Sequence, residues 1–172
     1  MKDLSGNFLN EILYSNINLV EQFNPLLKLD MELKNSLRIV MELKKDRALS
    51  LSLDNNLLTE VSGMDYSIGL GYRVKDLRIG QGQGSSKGDL NMKADLSMRD
   101  NITIIRNLDI IDNKVTAGQS IWSMKFSADY SLSKSFTAVF FYDHLFSEFA
   151  ISTAFPQTTI RSGITLRYNF GE

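Results

Sequence analysis

The sequence contains no cysteine, which removes disulfide scaffolds, thiolate metal sites and a cysteine nucleophile in one step. Histidine occurs once, at position 144, so acid–base and metal chemistry have little to draw on. Long apolar runs are absent too. Nowhere do 18 apolar residues follow one another, and no helix of this chain is expected to cross a bilayer. Charge of one sign is missing: 19 Lys and Arg stand against 20 Asp and Glu, a balance that gives no reason to expect nucleic acid. At 43% hydrophobic and 23% charged residues, neither a disordered chain nor a helical membrane bundle fits.

What the chain has instead is alternation. Residues 27–34 read Leu, Lys, Leu, Asp, Met, Glu, Leu, Lys. Leu37, Ile39, Met41 and Leu43 repeat the pattern, with Asn35-Ser36 between them as hairpin chemistry. Met64, Tyr66, Ile68, Leu70, Tyr72 and Val74 then share a face opposite Ser67, Gly69, Gly71 and Arg73. Leu90, Met92, Ala94, Leu96 and Met98 follow, opposite Asn91, Lys93, Asp95 and Ser97. Trp122, Met124, Phe126, Ala128, Tyr130 and Leu132 face away from Lys125 and Asp129, and a turn at 133–135 leads to Phe136, Ala138, Phe140 and Tyr142. The last row sets Ile160, Ser162, Ile164, Leu166, Tyr168 and Phe170 against Arg161, Gly163, Thr165, Arg167 and Asn169. A period of two means strands, and the chain is expected to be all-β with about seven long ones.

No charged side chain occurs in these apolar rows, while the opposite rows are dense with Lys, Arg, Asp and Glu. A lipid-facing surface has that property, because a Lys or Arg at mid-membrane costs about 2–4 kcal/mol. Lys45 and Arg47 continue the apolar parity of Leu37 to Leu43, so that strand must leave the bilayer there or carry a bulge. Pro25 sits in the phase of Phe23 and Leu27 and predicts a bulge or an edge position.

Connections are expected to alternate: short at 34–36 and 133–135, long at 107–118 and 147–158, as in barrels with short periplasmic turns and long outer loops. Residues 80–88 read as a Gly-rich flexible linker on the periplasmic side. Residues 1–16 form a lead-in, in which Leu4, Phe8, Leu9, Ile12 and Leu13 fit one face of a short amphipathic helix, and 17–172 hold the strands. Met1 to Asn7 has neither the basic nor the apolar region of a signal peptide. The chain is therefore expected to be processed, or a piece of something longer.

A soluble β-sandwich or lipocalin-like ligand-binding barrel would also alternate, with its apolar face turned inward. Three features favour the membrane. Tyr66, Tyr72, Trp122, Tyr130, Tyr142 and Tyr168 lie toward the ends of the apolar rows, where lipid-interface aromatics sit. The strands exceed the usual five or six residues. The opposite rows carry long charged side chains suited to a wet lumen. The final strand adds Arg161, Gly163, Leu166, Tyr168 and Phe170, which resemble the carboxy-terminal assembly signal of bacterial outer-membrane proteins, an edge strand offered to the assembly machinery.

Catalytic, cofactor-binding and metal-binding residues are not expected, and neither is an enzyme. Asp143 next to His144 points to the opposite face of a strand, which leaves no Ser-His-Asp relay. Gly80-x-Gly82-x-Gly84 lacks the spacing and the strand-to-helix context of a dinucleotide fingerprint. Asp30 and Glu32, and Asp89 and Asp95, stand among lysines on polar rows and read as solvated lumen charge.

Several stretches resemble the Sov/SprA translocon family of the type IX secretion system of Bacteroidetes-type bacteria. They are Val20-Glu21-Gln22-Phe23-Asn24-Pro25-Leu26, Lys44-Lys45-Asp46-Arg47-Ala48-Leu49-Ser50-Leu51-Ser52, Asn55-Asn56-Leu57-Leu58-Thr59-Glu60 and Ile68-Gly69-Leu70-Gly71-Tyr72-Arg73-Val74-Lys75-Asp76. Ala94-Asp95-Leu96-Ser97-Met98-Arg99-Asp100-Asn101, Thr116-Ala117-Gly118-Gln119, Thr153-Ala154-Phe155-Pro156 and the terminal Tyr168-Asn169-Phe170 continue the likeness, which runs from about Asn18 to the end. The resemblance implies an outer-membrane, cell-surface channel through which folded proteins leave the periplasm, including gliding-motility adhesins in gliding bacteria. It also implies a barrel of about 36 strands, the largest size known, with a PorV-like barrel protein, a periplasmic plug protein and secreted cargo as partners.

Family members are far longer, and seven strands fall short of the eight, always an even number, of the smallest bacterial barrels. The expectation is thus an antiparallel transmembrane β-barrel segment, part of a much larger barrel. Its neighbours would be the rest of that barrel, outer-membrane lipid and the barrel-assembly machinery. A small free-standing outer-membrane barrel with an eighth strand hidden in 37–53 is the alternative, followed by the soluble lipocalin-like barrel.

Overall fold

The computed structural model describes residues 4–6, 14–78, 87–110, 112–133, 135–151 and 155–170. Seven strands account for nearly all of them: β1 (Asn16–Leu33), β2 (Leu37–Ser52), β3 (Leu57–Arg78), β4 (Lys87–Asn107), β5 (Asp112–Ser131), β6 (Phe136–Phe149) and β7 (Gln157–Tyr168). They form one sheet in the order β1-β2-β3-β4-β5-β6-β7, every neighbour antiparallel. A meander of this kind follows from brief connections, since a chain that reverses within a few residues can only pair with the strand it has just left.

Local chemistry sets the first reversal. Residues 34–36 make a three-residue turn that ends on Ser36 at φ 59°, the left-handed conformation that closes such hairpins. The Ser36 carbonyl accepts a hydrogen bond from the Arg73 N–H at 3.3 Å, which ties this turn to β3. Pro25 falls in the interval from Phe23 to Leu27 where the β1–β2 register shifts, so it occupies both a bulge and an edge strand. Another shift lies between Val74 and Leu77, where Asp76 takes φ 55°, and a third between Thr103 and Ile104. Between β2 and β3 the pairing runs from Leu37 to Ser52 without a shift. Lys45 and Arg47 therefore keep the parity of Leu43, and it is the strand's continuation past the apolar rows that accommodates them.

The expected alternation of short and long connections is corrected. Asp112–Ser131 is strand, which reduces the connection after β4 to residues 108–111, and the one after β6 to 150–156. The asymmetry lies in the strands: beyond Leu43, Tyr66, Met98 and Trp122 the sheet continues for about nine further residues in β2 to β5, roughly 30 Å. Gly88, read as linker, instead pairs with Leu77 inside β4. Residues 79–86 and the helix-like positions Phe8, Leu9, Ile12 and Leu13 lie outside the described residues.

The sheet has no layer against it among the described residues. Among the described residues Tyr130 is the buried hydrophobic side chain, with 8% of its surface exposed. The chain exposes 13186 Å², where a folded globule of 19.5 kDa would expose about 8,500 Å². A compact sandwich would have covered one face. The sheet is also open, because β1 and β7 are both edges, and with seven antiparallel strands these edges run in the same direction.

Candidate functional site

Cross-strand register turns the alternation of single strands into two continuous surfaces. Antiparallel partners project to the same side, so one row across the sheet reads Leu27, Leu43, Tyr66, Met98, Trp122, Phe146, Thr158. The next reads Leu29, Met41, Ile68, Leu96, Met124, His144, Ile160, and the third Met31, Ile39, Leu70, Ala94, Phe126, Tyr142, Ser162. The fourth holds Leu33, Leu37, Tyr72, Met92, Ala128, Phe140 and Ile164, and the fifth Val74, Leu90, Tyr130, Ala138 and Leu166. None of these positions is charged in the usual sense; His144 is the sole ionisable imidazole. From Tyr66 to Val74 the band rises about 27 Å along β3, or about 21 Å at a strand tilt of 40°. Outer-membrane barrels carry an apolar band of about 25 Å.

The aromatic residues divide between the edges and the interior of this band. Tyr66 and Trp122 share the first row, Tyr72 the fourth, and Tyr168 lies beyond the fifth, opposite Phe136. Tyr130 turns its hydroxyl onto the Leu77 carbonyl at 3.1 Å and is buried at the end of the sheet. Tyr142 sits in the third row, in mid-band.

The opposite surface is charged and self-paired. Arg38 clasps Asp30 with two bonds, Nε to Oδ1 at 3.0 Å and Nη2 to Oδ2 at 2.6 Å. Lys28 meets Glu42 at 2.7 Å, Arg73 meets Asp89 at 2.6 Å and Arg161 meets Asp143 at 3.2 Å. Asp95 lies directly opposite Lys125, and Lys125 opposite Asp143. These pairs stand in water and add little to stability; their effect is to make the surface wet and close to neutral. Asp30, Asp89 and Asp95, considered from sequence as lumen charge, all lie here. Two glycines keep the surface low. A Cβ on Gly69 would come within 2.9 Å of the Asp95 carboxylate, and one on Gly163 within 2.9 Å of the Phe141 ring that lies across it.

Of the residues that resemble an assembly signal, Arg161 and Gly163 belong to the charged surface and Leu166 and Tyr168 to the apolar one, all on the edge strand β7. Phe170 follows, with its ring edge-on to Tyr168 at 4.7 Å.

Sequence reading missed one cluster. Past the first apolar row the same side of the sheet turns ionic, with Lys45, Asp100 and Glu148 and then Arg47 and Glu60. Glu60, 8% exposed, accepts a hydrogen bond from Arg47 Nε at 2.7 Å and another from Arg106, while Glu21 stands 3.9 Å from Arg47. This knot lies about 20 Å along β3 from Tyr66, outside the apolar band. The Arg47 guanidinium, helped by Arg106, holds the Glu60 carboxyl below the usual carboxylate range. Because the folded value is the lower one, the stabilisation is complete above the ordinary glutamate value of 4.5 and disappears as the pH falls through the folded value. Glu60→Ala is expected to loosen the projecting part of β2 to β4 by about 1.5–3 kcal/mol, the scale of a hydrogen bond to a charged group. Amide exchange at pH 7 should show the loss around Arg47 and Arg106 but not around Leu70.

Neither family models nor curated proteins give a match to this sequence.

Proposed function

We propose that the chain is the carboxy-terminal part of the wall of an outer-membrane, protein-conducting barrel, of the kind the Sov/SprA resemblance implies. The observation that carries this reading is a single sheet whose two surfaces are sorted across seven strands, one apolar and one ionic, with nothing among the described residues packed on either. A surface of that size without charge is covered by acyl chains or by protein. Free edges at β1 and β7 leave backbone amides that hydrocarbon cannot satisfy, so the sheet is completed by further strands. Direct closure of β7 onto β1 would make a parallel pair, whereas single-chain bacterial barrels are antiparallel and even-numbered. The wall therefore needs an odd number of strands from elsewhere in its barrel.

In that setting the apolar band faces lipid and the ionic surface faces the lumen. The channel exports folded proteins of the type IX pathway, and gliding adhesins where present. It works with a PorV-like barrel protein and a periplasmic plug, and no step of it is enzymatic. Wet, nearly neutral walls suit such a conduit, since a passing folded protein meets neither an apolar surface to stick to nor a strong field of one sign.

The test uses the full-length protein with single cysteines at neighbouring positions of β4. A secreted protein halted in transit, carrying a surface cysteine, should form a disulfide with Ser97→Cys and not with Leu96→Cys. Cross-linking at both positions or at neither would remove the conduit reading.

A further inference from the structure

The apolar band ends differently at its two ends. One row past Tyr66 and Trp122, on the same side of the sheet, the cross-strand partners are Phe23, Lys45, Met64, Asp100, Ser120 and Glu148. Two residues of strand separate the rows, about 7 Å, or about 5 Å of depth at a tilt of 40°. In a membrane that is the level of the lipid headgroups. At the other end the same side closes on Phe136 and Tyr168, which face each other without a charge.

Two opposite charges in this row do not meet. Lys45 and Asp100 flank Met64 and stand two strands apart, about 10 Å between backbones. On the ionic surface, by contrast, Lys28 reaches Glu42 and Arg38 reaches Asp30. Among the described residues Lys45 has no ion pair, and Asp100 has none either, its carboxylate accepting only the Ser120 hydroxyl. Directly below this gap the apolar surface is hollowed. Met98 lies between Tyr66 and Trp122, and Leu96 between Ile68 and Met124. These six side chains line an open depression of about 370 Å³, within the size range of small-molecule sites, about 300–1,000 Å³.

We propose that the depression and the two charges above it bind one phospholipid with a phosphoethanolamine headgroup. Its phosphate meets Lys45, its ammonium meets Asp100 across Met64, and an acyl chain lies between Tyr66 and Trp122. Charge complementarity selects this headgroup. An anionic lipid would satisfy Lys45 but be repelled by Asp100. A quaternary ammonium carries the charge without a donor, whereas a primary ammonium offers three N–H groups to the carboxylate. The inference rests on the membrane reading above and adds a particular lipid to one part of the band.

Photolabelling of the full-length protein in phosphatidylcholine vesicles tests it. The probe is a trace phospholipid with a photoreactive group on one acyl chain and a phosphoethanolamine, phosphocholine or phosphoglycerol headgroup. Mass spectrometry compares label on Leu96 and Met98 with label on Leu27 and Leu29, which share their two rows but lie outside the depression. The phosphoethanolamine probe should favour Leu96 and Met98 about fivefold, the combined scale of two exposed charge contacts. The other two probes should label all four positions alike. Lys45→Gln or Asp100→Asn should each cut the preference by about half, and Lys93→Gln, on the ionic surface, should leave it unchanged. Even labelling by all three probes would overturn the proposal and leave the membrane reading intact. A preference shared by all three headgroups and untouched by Lys45→Gln and Asp100→Asn would reduce the site to an acyl groove and overturn the headgroup assignment. A preference for phosphoglycerol would overturn it in favour of an anionic lipid. Absence of label from all four positions would instead defeat the membrane reading.

Discussion

Arginine in place of Leu70 is expected to remove most of the full-length protein from the assembled outer-membrane fraction, while arginine in place of Ser97 leaves the amount near normal. Leu70 occupies the third row of the apolar band, between Ile39 and Ala94 and about as far from either end as a β3 residue can be. In the proposed membrane setting a guanidinium there would have no water within reach and no acidic neighbour, and the cost at mid-membrane is about 2–4 kcal/mol. That is a large fraction of the stability of an ordinary domain. Ser97 lies one residue from Leu96 on the same strand but on the ionic surface, across from Ser67 and Ser123. In the proposed setting its side chain enters water, on a surface that already carries Asp95, Arg99 and Lys125 nearby, and an extra cation changes little. Immunoblots of outer-membrane fractions, with heat-modifiable migration as the measure of assembly, separate the two variants.

The second large effect concerns the chain by itself. Residues 1–172 made alone are expected to aggregate without detergent and, when refolded in detergent, to show no heat-modifiable closed form. The apolar side of the sheet would be open to water: Leu27 is 65% exposed and Ile164 72%. At roughly 25 cal/mol per Å² of apolar area, such a surface drives association with any other apolar surface present. Closure is denied by topology, because β1 and β7 run parallel and β7, at 12 residues, is shorter than the 18 of β1. A soluble monomer would favour the lipocalin-like barrel. A compact heat-modifiable species would favour a small free-standing barrel with a strand the sheet does not show.

Much of the sheet was legible in the residues because one physical condition repeats along it. Wherever a strand separates an apolar surface from a wet one, every second residue must be apolar, and that condition marks the middle of all seven strands, from Leu27 in β1 to Leu166 in β7. The strand ends were not legible for the same reason. Past the band both surfaces meet water and the condition lapses, so 107–118, with Asn107, Asp109, Asp112, Asn113 and Gly118, reads as a loop. Asn107 and residues 112–118 are strand nonetheless, because β4 and β5 extend the ladder already formed below. The knot of Arg47, Glu60 and Arg106 needs the register of three strands to appear. Its signal in the sequence was only that Arg47 and Glu60 fall on the parity of Leu43 and Tyr66. For His144 the alternation showed only that it and Asp143 face opposite ways; the register places the imidazole in the second apolar row, opposite Met124 and Ile160.

The sorting of side chains between acyl chains and water can be read directly by photolabelling the full-length protein in its own membrane with a small lipid-soluble reagent and mapping the modified residues. Label is expected on Met31, Ile68, Leu70 and Leu96, and not on Lys28, Asp30, Lys93 or Asp95. Modification of Lys93 and Asp95 with Leu70 and Leu96 left clean would contradict the account at its root.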